Sequence, residues 1–384
     1  MRQLIKWLLI DKGSPALAFM DFSSRLLAWY DQNRRHLPWR HSNDPYLVWV
    51  SEVILQQTRM DKGIEYFRRF SAAFPDVYSL ASASEEEVLR MWQGLGYYTR
   101  ARNLHHSARE LVQKNGGVLP ETYQEWLQLK GVGPYTAAAI ASMAFGEAVA
   151  ALDGNGYRIL ARVFALEVPM ESAAGEKAFM ALAQDLLDPR RPGDFNQALM
   201  DFGSLVCTPA KPACQSCLFH RECLAFSQNA VARFPVRGAR KPLRDRFFHY
   251  FDFQPTPGQG FFIAQRRMKD IWKGLYELPL LEAGRPLDVE DVLHHPWWES
   301  LFPGGKGAVL IAPHAEMTHK LTHQIIHARF FRVSVSPLAA LGLQKYFMLS
   351  DGPGFEALGK HRLMERWLEG REGPDGQTRK SVEP

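Results

Sequence analysis

The chain has 384 residues, 46% of them hydrophobic and 12% aromatic, with four cysteines and a formal net charge of +5. That length exceeds one ordinary core and points to two domains, each with enough apolar residues to bury its own interior. The mild positive excess is compatible with a nucleic-acid partner without requiring one, and the apolar run Trp7 to Ile10 is too short for a membrane span or a secretory signal. A soluble cytoplasmic protein is therefore expected, in which cysteines serve metals more often than disulfides.

In chain order, residues 1–20 read as an N-terminal extension. From Phe22 to Phe226 apolar residues recur at three- and four-residue spacing, as in Leu26, Leu27 and Tyr30, and strand-like alternation is scarce. Residues 21–226 therefore read as an all-helical domain. Across 227–246 the cations Arg233, Arg237, Arg240, Lys241, Arg244 and Arg246 face one acid, Asp245, between Pro235 and Pro242, which reads as an exposed basic linker. Residues 247–368 carry β-rich runs at FFHYFDF and GFFIAQRR, a helix at 286–293, further β-rich runs at 308–311 and 328–335, and a last helix at 354–368. Residues 369–384 are charged and Gly-rich, the composition of a disordered tail.

Three features carry chemistry. In LKGVGPYTAAA, residues 129–139, one helix meets Gly131-Val132-Gly133 and the next begins at Pro134. Glycines at such a turn let backbone N–H groups at a helix start approach a phosphate. Asp153 and Asn155 follow at another expected helix start, where either could be a cap. Glu52 sits in YLVWVSEVIL, where eight of ten residues are apolar. Burial there should raise its pKa and keep a proton available near neutral pH. All four cysteines, Cys207, Cys214, Cys217 and Cys223, fall in one stretch with spacing C-x6-C-x2-C-x5-C. Four thiolates can hold zinc, but only Cys214 and Cys217 form the close pair usual for zinc, and the longer arms suit an iron–sulfur cluster better. Arg158 and Arg162, at i,i+4, suit phosphate contact or a solvated face.

The order hairpin, then Leu152-Asp153-Gly154-Asn155, then this cysteine cluster resembles the endonuclease III superfamily of helix-hairpin-helix DNA glycosylases. The motifs SEVILQQT (51–58), LPWR (37–40), GLGYY (94–98) and FNQALMD (195–201) resemble its MutY-type adenine glycosylase branch, with similarity from about Asp21 to Trp367. The resemblance implies a monomeric enzyme that excises adenine from double-stranded DNA opposite 8-oxoguanine or guanine, carrying a 4Fe-4S cluster on the four cysteines. It gives Glu52 the role of proton donor to the leaving base and Asp153 that of stabilising the sugar cation, with Tyr135 and Asn155 steadying Asp153 and the sugar. Arg35, Leu37, Trp39, Met60 and Gln197 match adenine-pocket positions, Gln57 and Tyr97 match residues that wedge into the duplex, and Gly131 and Gly133 match the phosphate-binding turn. Tyr135 stands where the bifunctional enzymes carry a lysine, and tyrosine cannot form a Schiff base. Gly156 departs from the usual Val and should loosen its helical turn.

GFFIAQRRMKDIWKGLYELPLLE, residues 260–282, resembles the Nudix-like (MutT-like) domain of the same family, without the acidic box a working Nudix hydrolase needs. In the family this domain reads 8-oxoguanine through an F-S-H loop, here Leu321-Thr322-His323. His314, His319, His323 and His327 offer a competing metal reading, disfavoured by strand-forming neighbours. The rival functions are an endonuclease III-like bifunctional glycosylase and a non-catalytic iron–sulfur DNA-binding protein. The fold class expected is multidomain, all-α followed by α/β.

Overall fold

The computed structural model describes residues 16–40, 42–238, 242–255, 260–268 and 270–371. Of the expected N-terminal extension only residues 16–20 lie among them, and of the expected tail only 369–371, in both cases as helix. The rest of both segments lies outside the described residues. The chain divides into two compact units, Met1–Ser82 with Asn103–Ala239, and Ala83–Arg102 with Arg240–Pro384.

The first unit is helical. The Ala16–Asn33 helix buries Phe22, Leu26 and Tyr30 along one stripe, against Ile159, Leu160, Phe179, Leu199 and Phe202. Phe22 stacks on Phe219, ring centroids 4.5 Å apart, which ties the first helix to the cysteine-bearing segment. The Pro45–Leu55 helix starts at Asp44, whose carboxylate accepts from Tyr46 N and Leu47 N. Every residue from Val48 to Ile54 is buried, so the helix has no solvent face to which Glu52 could turn. It packs on the Pro134–Phe145 helix, where the small residues Ala137, Ala138 and Ala141 permit close approach. The hairpin forms as read: Gly131 takes φ +84, where an added Cβ would lie 2.5 Å from Asn103 Cβ, and Gly133 precedes Pro134 with no side-chain cap.

The second unit is built on sheets. Strands β1 (Arg244–Gln254), β4 (Leu280–Ala283), β5 (Ala308–Lys320) and β6 (Gln324–Val335) form a sheet in the order β4-β1-β6-β5. Only the β1–β6 pairing is parallel, with Tyr250 opposite Phe330. β2 (Phe261–Gln265), β3 (Tyr276–Glu277) and β7 (Met348–Ser350) make a smaller sheet. From His249 to Phe253 β1 is buried without alternation, the mark of a strand covered on both faces. Phe251, Phe253, Phe331, Val333 and Trp298 form its core. Residues 83–102 join this unit through polar anchors: Tyr98 Oη donates to Lys360 O at 3.1 Å and Gln93 Nε2 donates to Glu365 Oε1 at 2.7 Å.

Two expectations change in detail. The 227–246 stretch is not uniformly exposed: Phe234 is buried in the helical core, and Arg246 is buried between Asp270 and Glu282. A guanidinium with two carboxylates can be buried where a lone one cannot, and charge counting along the chain does not show those partners. The single last helix is two, Gly352–Ala357 and Arg362–Arg371. Among the described residues no helix is long and apolar enough to cross a membrane.

Candidate active site

One cavity of the helical unit, about 950 Å³ of non-atom space partly open to solvent, gathers the residues singled out from sequence. Arg35, Leu37, Trp39, Glu52, Gln57, Met60, Tyr135, Asp153, Asn155 and Gln197 all line it. They arrive from six places: the Pro38–Arg40 turn with the residues before it, the end of the Pro45–Leu55 helix with the residues after it, the start of the Met60–Ala73 helix, the first turns of the Pro134–Phe145 and Gly154–Val163 helices, and the Pro192–Leu205 helix. Arg40, Leu55, Gln56, Thr58, Met143, Gly154 and Met200 complete the wall and were not singled out as site residues. All but Met143 lie in the quoted motifs LPWR, SEVILQQT, Leu152-Asp153-Gly154-Asn155 and FNQALMD and were legible there.

Glu52 is 5% exposed, and burial pushes its carboxyl up to about 7. A hydrogen bond from Tyr135 and the charge of Arg40 oppose the rise, while Asp153 adds to it. Burial and the two neighbouring carboxyl groups raise Tyr135 as well, so its phenol keeps its proton. Asp153 caps the Gly154–Val163 helix and also lines the cavity. Its Oδ1 accepts from Asn155 N and Gly156 N, each at 2.9 Å, and its Oδ2 accepts from Asn155 Nδ2 at 2.6 Å. Burial raises its proton affinity, against the pull of those donors. Two carboxyl groups of different surroundings thus share one cavity, the arrangement that separates an acid from a charge stabiliser. Gly156 fits closely: an added Cβ would lie 2.7 Å from Leu152 Cδ2, the end of a side chain that would have to move.

Arg158 and Arg162 correct the sequence reading. They are buried, 9% and 3% exposed, and face neither phosphate nor solvent. Arg162 donates to Thr208 O at 2.8 Å and Pro209 O at 2.9 Å, with Nη1 3.4 Å from Cys207 Sγ. Arg158 donates to Cys207 O at 2.7 Å, Gly203 O at 2.6 Å and Asn155 Oδ1 at 2.8 Å. The loop around Cys207 turns its carbonyls inward, and buried carbonyls need donors. Spacing along a helix cannot reveal what lies opposite it.

Cys207, Cys214, Cys217 and Cys223 line a second cavity, about 380 Å³ of non-atom space. Phe219 N donates to Cys217 Sγ at 3.4 Å. Among the described residues no three His, Cys, Asp or Glu side chains converge closely enough to hold one metal ion. Four thiols lining one cavity are the kind of donor set that a metal centre takes. His314, His319, His323 and His327 lie on β5, β6 and the turn between, and among the described residues no three of them converge on one point.

Gln57 and Tyr97 both adopt left-handed backbone, φ +57 and +48, a strained state for residues with side chains and one that clusters at functional positions. Gln57 lines the first cavity, whereas Tyr97, Thr322 and His323 belong to the second unit. There the Tyr97 and Thr322 hydroxyls hydrogen-bond, and Leu321-Thr322-His323 forms the β5–β6 turn, closed by Leu321 N donating to Gln324 O at 2.8 Å.

Comparison with known proteins agrees with this geometry. Residues 50–184 match the HhH-GPD superfamily base excision DNA repair protein family. Adenine DNA glycosylase of Homo sapiens is 48% identical over 178 residues, 46% of this chain and 33% of the relative. That of Arabidopsis thaliana is 37% identical over 263 residues, 60% of this chain and 41% of the relative. The match thus spans about a third of the length of the human relative. A solved thermostable thymine-DNA glycosylase is 29% identical with a TM-score of 0.50, covering 55% of this chain and 97% of that one. The helical unit, with Gly131 and Gly133 at its hairpin and two carboxyl groups in its cavity, is accordingly similar over residues 50–184 to the helix-hairpin-helix superfamily of base excision DNA repair proteins, and adenine DNA glycosylases are among the chain's relatives.

Proposed function

We propose that the chain is a monofunctional DNA glycosylase that removes adenine opposite 8-oxoguanine or guanine in double-stranded DNA. The observation that carries this is the meeting of Glu52, Asp153 and Tyr135 in one cavity with Glu52 raised to about 7. An adenine turned out of the duplex would enter that cavity. Protonated Glu52 would give its proton to the imidazole nitrogen of the departing base and then handle the attacking water, an effect worth about two to four orders of magnitude in rate. The Asp153 carboxylate, fixed by the helix-start N–H groups, would stabilise the positive charge that develops on the sugar. Asn155 holds the second oxygen of that carboxylate and is itself held by Arg158. Gly131 and Gly133 would seat a DNA phosphate at the uncapped helix start.

No lysine lines the cavity among the described residues, and Tyr135 occupies the position after Pro134. That supports base release without strand cleavage. The four cysteines would hold a 4Fe-4S cluster, which when bound cross-links residues 207–223 and takes no part in breaking the glycosidic bond. The second unit would be a Nudix-like domain reading the opposite base through Thr322 and His323.

The test is single-turnover release of adenine from duplexes with A opposite 8-oxoguanine, G or T, with a T·G duplex alongside. Release from the first two only supports the proposal; preferential thymine release from T·G would overturn it. Borohydride trapping separates the bifunctional rival, since only an amine nucleophile leaves a covalent adduct.

A further inference from the structure

Two arginines of the cavity wall, Arg35 and Arg40, share one carboxylate to which no role has been given. Asp201 is completely buried, four residues beyond Gln197 on the Pro192–Leu205 helix. It accepts from Arg35 N at 3.0 Å, Arg35 Nε at 2.7 Å, Arg40 Nη1 at 2.7 Å and Arg40 Nη2 at 3.1 Å. Arg40 Nη1 also reaches Arg35 O at 3.4 Å, and its guanidinium lies 5.9 Å from the centre of the Tyr30 ring. Tyr30 in turn donates to Gln197 Oε1 at 3.2 Å. One buried carboxylate therefore fixes two arginines of the cavity wall, and the trio keeps a single net positive charge.

That charge matters because of what else the wall holds. Arg40 from the Pro38–Arg40 turn, Tyr135 from the Pro134–Phe145 helix and Asp153 from the start of the Gly154–Val163 helix line one cavity with Glu52, and these are the ionisable groups that act on its carboxyl. Those acting on Asp201 are Arg35 and Arg40, with Tyr30 across from it. A cation beside an acid draws the proton off that acid. An unpaired Arg40 would work against a group that must stay protonated, and a missing Arg40 would leave the group harder to ionise when water is to be activated.

We propose that Asp201 is a positioning residue whose pairing with Arg40 sets how strongly that guanidinium acts on the Glu52 carboxyl. The proposal rests on the reading of Glu52 as proton donor and deepens it. Removing the Asp201 charge strengthens the cation felt by Glu52 and lowers its titration midpoint. Removing the Arg40 charge does the reverse. A purely structural role for the pair would give no such opposite signs.

The experiment titrates Glu52 in the DNA-free protein by carboxyl-carbon NMR, its resonance assigned by its loss in Glu52→Gln, and compares Asp201→Asn with Arg40→Gln. The midpoint is expected to fall in the first and rise in the second, each by roughly half to one pH unit for a partly screened charge at this range. The alkaline limb of single-turnover adenine release should move with it. Midpoints that stay put, or move together, overturn the proposal, even if rates fall. If Asp201→Asn does not fold, Arg40→Gln decides alone: an unmoved midpoint overturns the coupling. Opposite NMR shifts in a protein that releases no adenine would leave the coupling standing and defeat the functional reading instead.

Discussion

Glu52→Gln gives a stability signature that needs no substrate. In the native protein burial lifts the carboxyl from 4.5 to about 7. The folded state thus binds that proton more tightly than the unfolded state. Stability is highest while the group is protonated in both states. It declines as pH rises from about 4.5 and has lost its full amount once pH passes about 7. At roughly 1.4 kcal/mol per pH unit the loss is about 3 kcal/mol. Glutamine keeps the shape and cannot ionise, so the variant escapes the loss. At pH 5 the two proteins should melt close together. At pH 8.5 the variant should melt higher by roughly 6 to 12 °C, at about 2–4 °C per kcal/mol for a unit of this size. Asp153 is also raised by burial and slopes both curves in the same direction. Helical circular dichroism followed through thermal unfolding at the two pH values makes the comparison. A gap that is the same at both would show that Glu52 is not held protonated by burial, and the proton-donor assignment would lose its physical basis.

Asp153→Asn should fold normally, because asparagine caps helices as well as aspartate, yet lose base release by roughly two or more orders of magnitude with duplex binding kept; near-normal release in a single-turnover assay defeats the assignment. Gly131→Ala forces a side chain into φ +84 and against Asn103, so it should destabilise the hairpin by about 1–2 kcal/mol or more and weaken duplex binding, measured by melting and by fluorescence anisotropy. Replacing Thr322 and His323 together by Ala should shrink the preference for A·8-oxoguanine over A·G by about 1–3 kcal/mol while A·G excision survives; an unchanged ratio assigns lesion reading elsewhere. Arg158→Gln should lower visible iron–sulfur absorbance and slow release on the order of a hundredfold, since small misplacements of Asn155 and Asp153 are felt at the reacting atoms; full absorbance with full activity would refute the link.

Legibility followed the length scale of each signal. Helix against strand was readable because it is local: the three- and four-residue spacing from Phe22 onward became helices, and FFHYFDF became a central strand. Glu52 was readable because one carboxylate in an apolar run has few places to go. Asp153 reads more like a cap than a site residue when taken alone, and it is a cap that also lines the cavity, with one oxygen on the helix-start N–H groups and the other on the Asn155 side chain. The assignment of residues 83–102 to the second unit was not readable, since the bonds that carry it, Tyr98 to Lys360 and Gln93 to Glu365, join positions more than 260 residues apart.

Buried arginines are where sequence reading fails for a physical reason. A guanidinium carries five N–H donors in a rigid fork, so its energetics depend on which acceptors surround it. Acceptors such as the carbonyls of Cys207, Gly203 and Thr208 leave no trace in residue type. Arg158 and Arg162 therefore read as surface charges and are interior braces. The consequence reaches function. Arg158 holds the Cys207 carbonyl and the Asn155 amide with one side chain, and Asn155 holds Asp153. Order in the cysteine loop and orientation of the carboxylate are thus a single mechanical problem. On the proposed mechanism, a substitution that loosens residues 207–223 should disturb sugar-cation stabilisation before it disturbs adenine entry, because Leu37 and Trp39 stand at the Pro38–Arg40 turn, to which Arg158 makes no hydrogen bond.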